Sequence, residues 1–418
     1  MINKKILKNN IVFISQNLKT FSTACIGFWI KAGSRFEPVS LAGISHFTEH
    51  LVFKGTKKFS TQEISCTFDR MGAYINAFTE RENVCFYCTI PVAENKNKNL
   101  SNALDVLCEL TENAVFPEDE FFREKLVVQN EISALEDDCD EKALDVLANS
   151  MWPNQKISRS ITGSIDDVEN ISRTMVLDWY KKFFANGELI VIAAGNLDEN
   201  LIEEKLNKMN VHKKVLNFPD ESYFESDLKW SSGNKITKSH FKQIQFFEAY
   251  NIKLPFKMKD FFVGAVFNAF AGDSMSSRLF NQIREKMALC YNVFSFFTFY
   301  ENAAVWCASA SCDKKNIAVL KSKMESVISN FLTEEISDFE YENAVEHVCG
   351  EEIIGSEDPE YLMKRLQNYN SLGFDLLETA DICKCIRSVS KNDIIEFTKN
   401  LIVSEKKCQL IYGSKSIK

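Results

Sequence analysis

The chain has 418 residues, 45% of them hydrophobic and 26% charged, which excludes a largely disordered polypeptide and leaves room for more than one core. Its 58 acidic and 49 basic side chains give a net charge of −9, which argues against nucleic acid or an anionic membrane surface as a partner and favours basic peptides. No apolar run reaches the roughly 18 residues of a membrane span; the longest, Phe261 to Ala271, is too short and contains Asn268.

The basic stretch Met1 to Asn10 is followed by no apolar run or small-residue cleavage site, so it does not read as a secretory signal. The 13 cysteines are odd in number and sit mostly in apolar runs, which predicts reduced, buried thiols and a cytoplasmic setting. Strands are predicted at Ile11–Ile14, Ala24–Ala32, Tyr74–Phe78, Val84–Pro91 and Leu189–Ala194, from β-branched and aromatic runs. Helices are predicted at Gly43–Phe53, Thr61–Met71, Leu100–Asn113, Pro117–Leu135 and Thr174–Phe183. Cys85 and Cys88 fall in a strand, where positions three apart face opposite sides, so core packing is expected of them rather than metal or redox chemistry. The stretch from Lys205 to Lys238 is polar and carries no sustained period, which reads as a linker.

Beyond that stretch the strand and helix patterns resume, and three segments match earlier ones. Met71–Phe78 resembles Met287–Phe294, Phe121–Ile132 resembles Glu340–Glu352, and Leu189–Gly195 resembles Cys408–Gly413. A near-constant displacement across three anchors predicts a duplicated domain. The expected fold class is α+β: two homologous domains, each a mostly antiparallel sheet with helices packed on one face, enclosing a crevice. The expected boundaries are 1–210 for the first domain, 211–238 for the linker and 239–418 for the second.

Two of the five histidines lie in His46-Phe47-Thr48-Glu49-His50. On a helix, His46 and His50 project from one face, and Glu49 lies three residues from His46 on the same side. Imidazoles on adjacent turns can hold one zinc ion, with Zn–N bonds of about 2.0–2.1 Å, and the carboxylate beside them can take a proton from its water. Ile44, Phe47 and Leu51 would anchor the other face to a sheet. A surface helix with two solvated histidines would show the same letters, but the apolar neighbours argue against it. A catalytic zinc site needs a third protein ligand, and Glu124 and Glu131, two turns apart on one predicted helix, offer candidates.

With these residues in place, the chain resembles the pitrilysin/insulinase family of zinc metallopeptidases with the inverted motif, in its two-domain class of mitochondrial processing peptidase and bacterial relatives. The resemblance rests on His46–Thr56, on the spacing of Glu124 and Glu131, on Asn76-Ala77-Phe78-Thr79, and on Ser276–Phe280 with Arg284-Glu285-Lys286. It implies one Zn2+ per chain held by His46, His50 and Glu131, with Glu124 behind them. It implies Glu49 as general base and an edge strand at Asn76, Ala77 and Phe78 that pairs with a peptide. The family's paired arginine and tyrosine fall on Arg284, for substrate binding, and Tyr291, for catalysis, although a surface charge and a core ring are the plainer readings of those two. The two-domain class implies a homodimer or a heterodimer with a related chain. Ala288 stands where the family usually has glycine. The function so implied is a zinc-dependent endopeptidase acting on extended peptides. The alternatives are a non-catalytic subunit of a heterodimer, which would be expected to lose motif residues, and a metal-independent peptide-binding chaperone.

Overall fold

The computed structural model describes residues 1–209, 225 and 227–414. The first half of the sequence forms strands β1 (Ile2–Ile6), β2 (Val12–Asn17), β3 (Thr23–Ile30), β4 (Tyr74–Thr79), β5 (Val84–Pro91) and β6 (Leu189–Gly195). Its helices are α1 (Ile44–Val52), α2 (Thr61–Met71), α3 (Lys96–Asn113), α4 (Glu118–Asp137), α5 (Cys139–Met151), α6 (Ile165–Asn170), α7 (Arg173–Trp179) and α8 (Glu199–Asn207). The second half forms β7 (Gly233–Ser239), β8 (Gln243–Ile252), β9 (Asn292–Tyr300), β10 (Ala303–Asp313) and β11 (Lys407–Ser414). Its helices are α9 (Met258–Asn268), α10 (Ile317–Asn330), α11 (Asp338–Gly355), α12 (Pro359–Ser371), α13 (Thr379–Arg387) and α14 (Lys391–Leu401). No helix among the described residues is long and apolar enough to cross a membrane.

The strands make two sheets, ordered β1-β2-β6-β3-β5-β4 and β7-β11-β8-β10-β9. Leaving aside β1, the orders coincide when β2, β6, β3, β5 and β4 are matched with β7, β11, β8, β10 and β9. The single parallel pairing also falls in the same place, β2 with β6 and β7 with β11. The three sequence anchors lie in or lead into matched elements: β4 and β9, α4 and α11, β6 and β11. Even the strand ends repeat. Gly195 and Gly413 take φ of +108° and +147°, and a Cβ there would fall 2.4 Å from the Thr23 carbonyl oxygen and 2.6 Å from that of Gln243. The fold class is therefore the expected α+β pair of sheets with helices. β1 was not foreseen, because its Asn and Lys side chains at an exposed edge carry no apolar alternation.

The chain divides into two compact units that do not follow a single cut. One comprises residues 1–135, 159–225 and 356–370, and the other 136–158, 226–355 and 371–418. The expected boundaries at 210 and 239 are corrected accordingly: α5 belongs to the second unit, and α12, except its last residue, to the first. The expected linker is corrected too, since Gly233–Ser239 form β7 in register with β11. Most of the remainder, 211–224 and 226, lies outside the described residues.

Alternation along β3 shows what the exchanged helix does. Ala24, Ile26, Phe28 and Ile30 are fully buried in the core that also takes Ile44, Phe47 and Leu51 of α1 and Leu104 and Leu107 of α3. Successive strand residues face opposite sides, so Gly27 and Trp29 point to the other face. There they meet α12: Trp29 Nε1 lies 3.1 Å from Met363 Sδ, and a Cβ on Gly27 would fall 2.6 Å from the same sulfur. Arg365 Nη2 donates to Gln16 Oε1 at 3.1 Å. In the second unit α5 plays the matching part, with Ala143, Leu147 and Met151 in one cluster with Phe247, Ala249 and Leu410. Each sheet thus carries its own helices on one face, and one helix from the other half of the sequence on the opposite face.

Candidate metal centre

α1 is nine residues long and packs Ile44, Phe47 and Leu51 into the core with no exposure. That anchoring turns His46 and His50 toward α4 and Glu49 toward Thr79 at the end of β4. His46 Nε2 lies 3.5 Å from Glu131 Oε1, and His50 Nε2 lies 3.2 Å from Glu131 Oε2. The ligand atoms of His46, His50 and Glu131 all lie within 4.8 Å of one another. Ligands on a tetrahedral ion with bonds of about 2.1 Å sit about 3.4 Å apart, so the separations to Glu131 suit zinc without rearrangement. The donor set, two imidazole nitrogens and a carboxylate, is one that zinc takes.

Neighbouring groups fix the orientation of these side chains. Glu124 Oε2 faces His50 Nδ1 at 3.2 Å, which leaves Nε2 for the metal side. Lys54 Nζ pairs with the other Glu124 oxygen at 2.7 Å. Burial raises the Glu124 carboxyl, and the bonds from His50 and Lys54 more than reverse this and hold it below its usual value. Bonds from His46 and then His50 hold Glu131 well below the carboxylate range. Burial alone would lower His50; the bonds to Glu124 and Glu131 override it and push His50 up to about 9.

Glu49 differs. It is 9% exposed, burial raises its carboxyl, and its Oε2 accepts a 2.7 Å hydrogen bond from Thr79 Oγ1 at the end of β4. A carboxylate of raised basicity, fixed by one oxygen beside a metal set, can accept and return a proton. β4 is an edge strand whose outer side pairs with no strand among the described residues. Asn76 on it is exposed, and Ala77 and Phe78 are half-buried, with Phe78 against Trp29 at a centroid distance of 5.3 Å.

The first unit therefore brings together His46, Glu49, His50, Glu124 and Glu131, with β4 joined to them through Thr79. Arg284 and Tyr291 belong to the second unit. They share a cavity of about 510 Å³ with Glu285, Cys312, Asp313 and Asn316. The Arg284 guanidinium lies 4.7 Å from the centre of the Phe280 ring, and Tyr291 is 83% exposed just before β9, so it is not a core ring. A second grouping of possible ligands, Asp273, His347 and Glu351, also lies in the second unit, with both carboxylates exposed and none of the buried support seen around His50.

Lys54 and Thr79 entered the sequence reading only as members of His46–Thr56 and Asn76–Thr79, with no partner assigned to either. Lys54 was within reach of helical arithmetic, four residues beyond His50. Thr79 was not, because its bond to Glu49 spans 30 residues and depends on how β4 passes α1.

Residues 12–164 match the model of insulinase, peptidase family M16, and residues 170–348 match that of the peptidase M16 inactive domain. An uncharacterized zinc protease of Bacillus subtilis is 28% identical over 375 residues, 87% of each chain. One of Rickettsia felis is 26% identical over 413 residues, covering 99% of this chain and 97% of that one. The beta subunit of the rat mitochondrial-processing peptidase is 27% identical over 322 residues, 75% of this chain and 64% of that one. Among solved structures, a protease from Helicobacter pylori superposes with a TM-score of 0.87 at 19% identity, over 99% of both chains, a likeness of fold. With the two family models matched in order along most of its length, the chain belongs to the insulinase family, peptidase family M16.

Proposed function

We propose that this protein is a zinc-dependent endopeptidase that hydrolyses extended peptides or unfolded peptide segments. One observation carries the reading. Two imidazole nitrogens and the Glu131 carboxylate converge within 4.8 Å, beside a buried carboxylate, Glu49, that holds no part of that set. His46, His50 and Glu131 would hold zinc, which when bound would supply Lewis acidity for a peptide carbonyl and for water. Glu49 takes the proton of the attacking water on its carboxylate and returns it to the leaving amine nitrogen. Thr79 keeps one Glu49 oxygen bonded, and Glu124 keeps the His50 ring turned. An extended peptide pairs with the free edge of β4 at Asn76, Ala77 and Phe78 by β-augmentation. Arg284 binds a peptide carbonyl, and the Tyr291 hydroxyl donates to the oxygen on which charge develops; the family resemblance supports both roles, and the exposure of Tyr291 supports the second.

The likeness to a processing-peptidase subunit supports a dimer, with a related chain or a second copy. The net charge of −9 supports basic peptides, and 13 free cysteines support a cytoplasmic setting. A non-catalytic role is the second reading. It is favoured for the second half alone, which carries no His-x-x-Glu-His and matches the inactive-domain model.

Metal analysis and digestion of a peptide library test the proposal together. The wild type is expected to carry one zinc per chain and His50→Ala nearly none. Glu49→Gln is expected to keep its zinc and lose hydrolysis by roughly 10²–10⁴-fold. A wild type that stays metal-free in zinc, or a Glu49→Gln variant with near-normal turnover, overturns it.

A further inference from the structure

α1 begins on a residue that has no side chain with which to cap it. Its N-cap is Gly43 at φ +83°, yet the first-turn N–H groups of any helix need acceptors. Nine residues also make a helix too short to hold itself. The acceptors come from upstream. Glu37 is fully buried, its Oε2 accepts from Gly43 N at 2.8 Å, and its Oε1 accepts from Ser45 N at 2.8 Å. Both carboxylate oxygens are thus spent on the first turn, and the second bond falls on the residue before His46.

Glu37 is itself held. Its carbonyl oxygen accepts from Arg159 Nη1 at 2.9 Å, and its N–H donates to Ser34 O at 3.2 Å. Two residues back, Arg35 is fully buried and pairs with Glu82 at 2.6 Å, while Ser34 N and Arg35 N donate to the carbonyls of Glu80 and Arg81. That turn, 80–83, directly follows Thr79, which bonds Glu49. The loop 33–37 therefore joins the hairpin that holds the general base to the helix that carries the ligands.

We propose that Glu37 is a positioning residue that sets the start and axis of α1 and, through it, the aim of the His46 and His50 imidazoles. The inference rests on the metal centre proposed above. A charge at a helix N-terminus also complements the macrodipole, and Glu37 is fully buried, so the site is not a solvated surface cap.

Glu37→Gln keeps the shape but puts an NH2 group where one backbone N–H needs an acceptor. The expected result is a folded chain that binds zinc roughly 10–100-fold more weakly, the range for losing a residue that supports metal ligands. The visible d–d spectrum of the Co2+-loaded chain is expected to shift, and kcat to fall with KM unchanged. Glu37→Asp, which keeps the charge but reaches one amide, is expected to fall between. Leu104→Ala, a core change in α3, controls for general destabilisation and is expected to leave zinc affinity and the Co2+ spectrum as in the wild type. Wild-type affinity and spectrum in Glu37→Gln, or an equal loss in Leu104→Ala, overturn the proposal. If neither Glu37 variant folds, hydrogen exchange in the wild type decides: the Ser45 amide is expected to be protected like the middle of α1, and fast exchange there overturns it. A wild type that binds metal but hydrolyses no peptide overturns the enzymatic reading alone; one that binds no metal overturns both.

Discussion

Ala288 sits at φ +49°, in the left-handed region, where a Cβ crowds the following carbonyl. It closes the helical segment Phe280–Glu285, with Ala288 N donating to Arg284 O at 3.0 Å and Leu289 N to Ile283 O at 3.4 Å. This is the place where a helix end usually takes glycine. Ala288→Gly is expected to stabilise the protein by about 1 kcal/mol in urea unfolding, because the strain removed exceeds the entropy glycine adds to the unfolded chain. The substitution leaves Arg284 and Tyr291, on either side of the turn, in place. An unchanged or lower midpoint would mean that the turn is not strained.

Among the elements, the start of α11 depends on one buried cation. Arg278 is 7% exposed, bonds Glu340 through Nε at 2.7 Å and Nη2 at 3.1 Å, donates to Glu335 O at 2.7 Å and covers the Phe270 ring. Burial would raise the Glu340 carboxyl, but the bonds from Arg278 and Ser337 win and bring it down to about 2. Because the folded value lies below the unfolded one, this carboxylate adds stability above about pH 4.5 and loses it as pH falls toward 2. Arg278→Met is expected to cost about 1–2 kcal/mol at pH 7, less than a fully buried pair because Glu340 is partly solvated. The difference from the wild type should shrink as pH falls below 4.5, which urea unfolding across pH would read directly. A gap independent of pH would assign the loss to packing on Phe270 instead.

For the whole molecule, the exchanged helices decide whether a half can stand alone. Met363 is fully buried against Gly27 and Trp29, more than 330 residues away in sequence. Met363→Ala is expected to destabilise the first unit by about 2–4 kcal/mol through the cavity it leaves. Since Trp29 lines that contact, its fluorescence should report the loss. A cost below about 1 kcal/mol would show that the sheet tolerates an uncovered face.

Much of this protein was legible in its amino acids because the relevant physics is local. The i, i+4 spacing of His46 and His50, the seven-residue spacing of Glu124 and Glu131, and the apolar stripe Ile44-Phe47-Leu51 follow from helical geometry, whatever the rest of the chain does. The repeat of MGAYINAF in MALCYNVF and of LIVIAAG in CQLIYG likewise announced two sheets of one design. Other features depended on where distant segments meet. The Thr79 bond to Glu49, the Glu37 clamp on α1, the Lys54 pairing and the passage of α5 and α12 to opposite units join residues by packing rather than by period. A buried carboxylate leaves no periodic trace in sequence, and an amphipathic helix shows that it needs a partner without saying which sheet will supply it. Composition and spacing pointed to candidate ligands and to the elements that carry them. Only the tertiary structure decided what orients those ligands, because orientation is set by hydrogen bonds and contacts between segments that the chain brings together on folding.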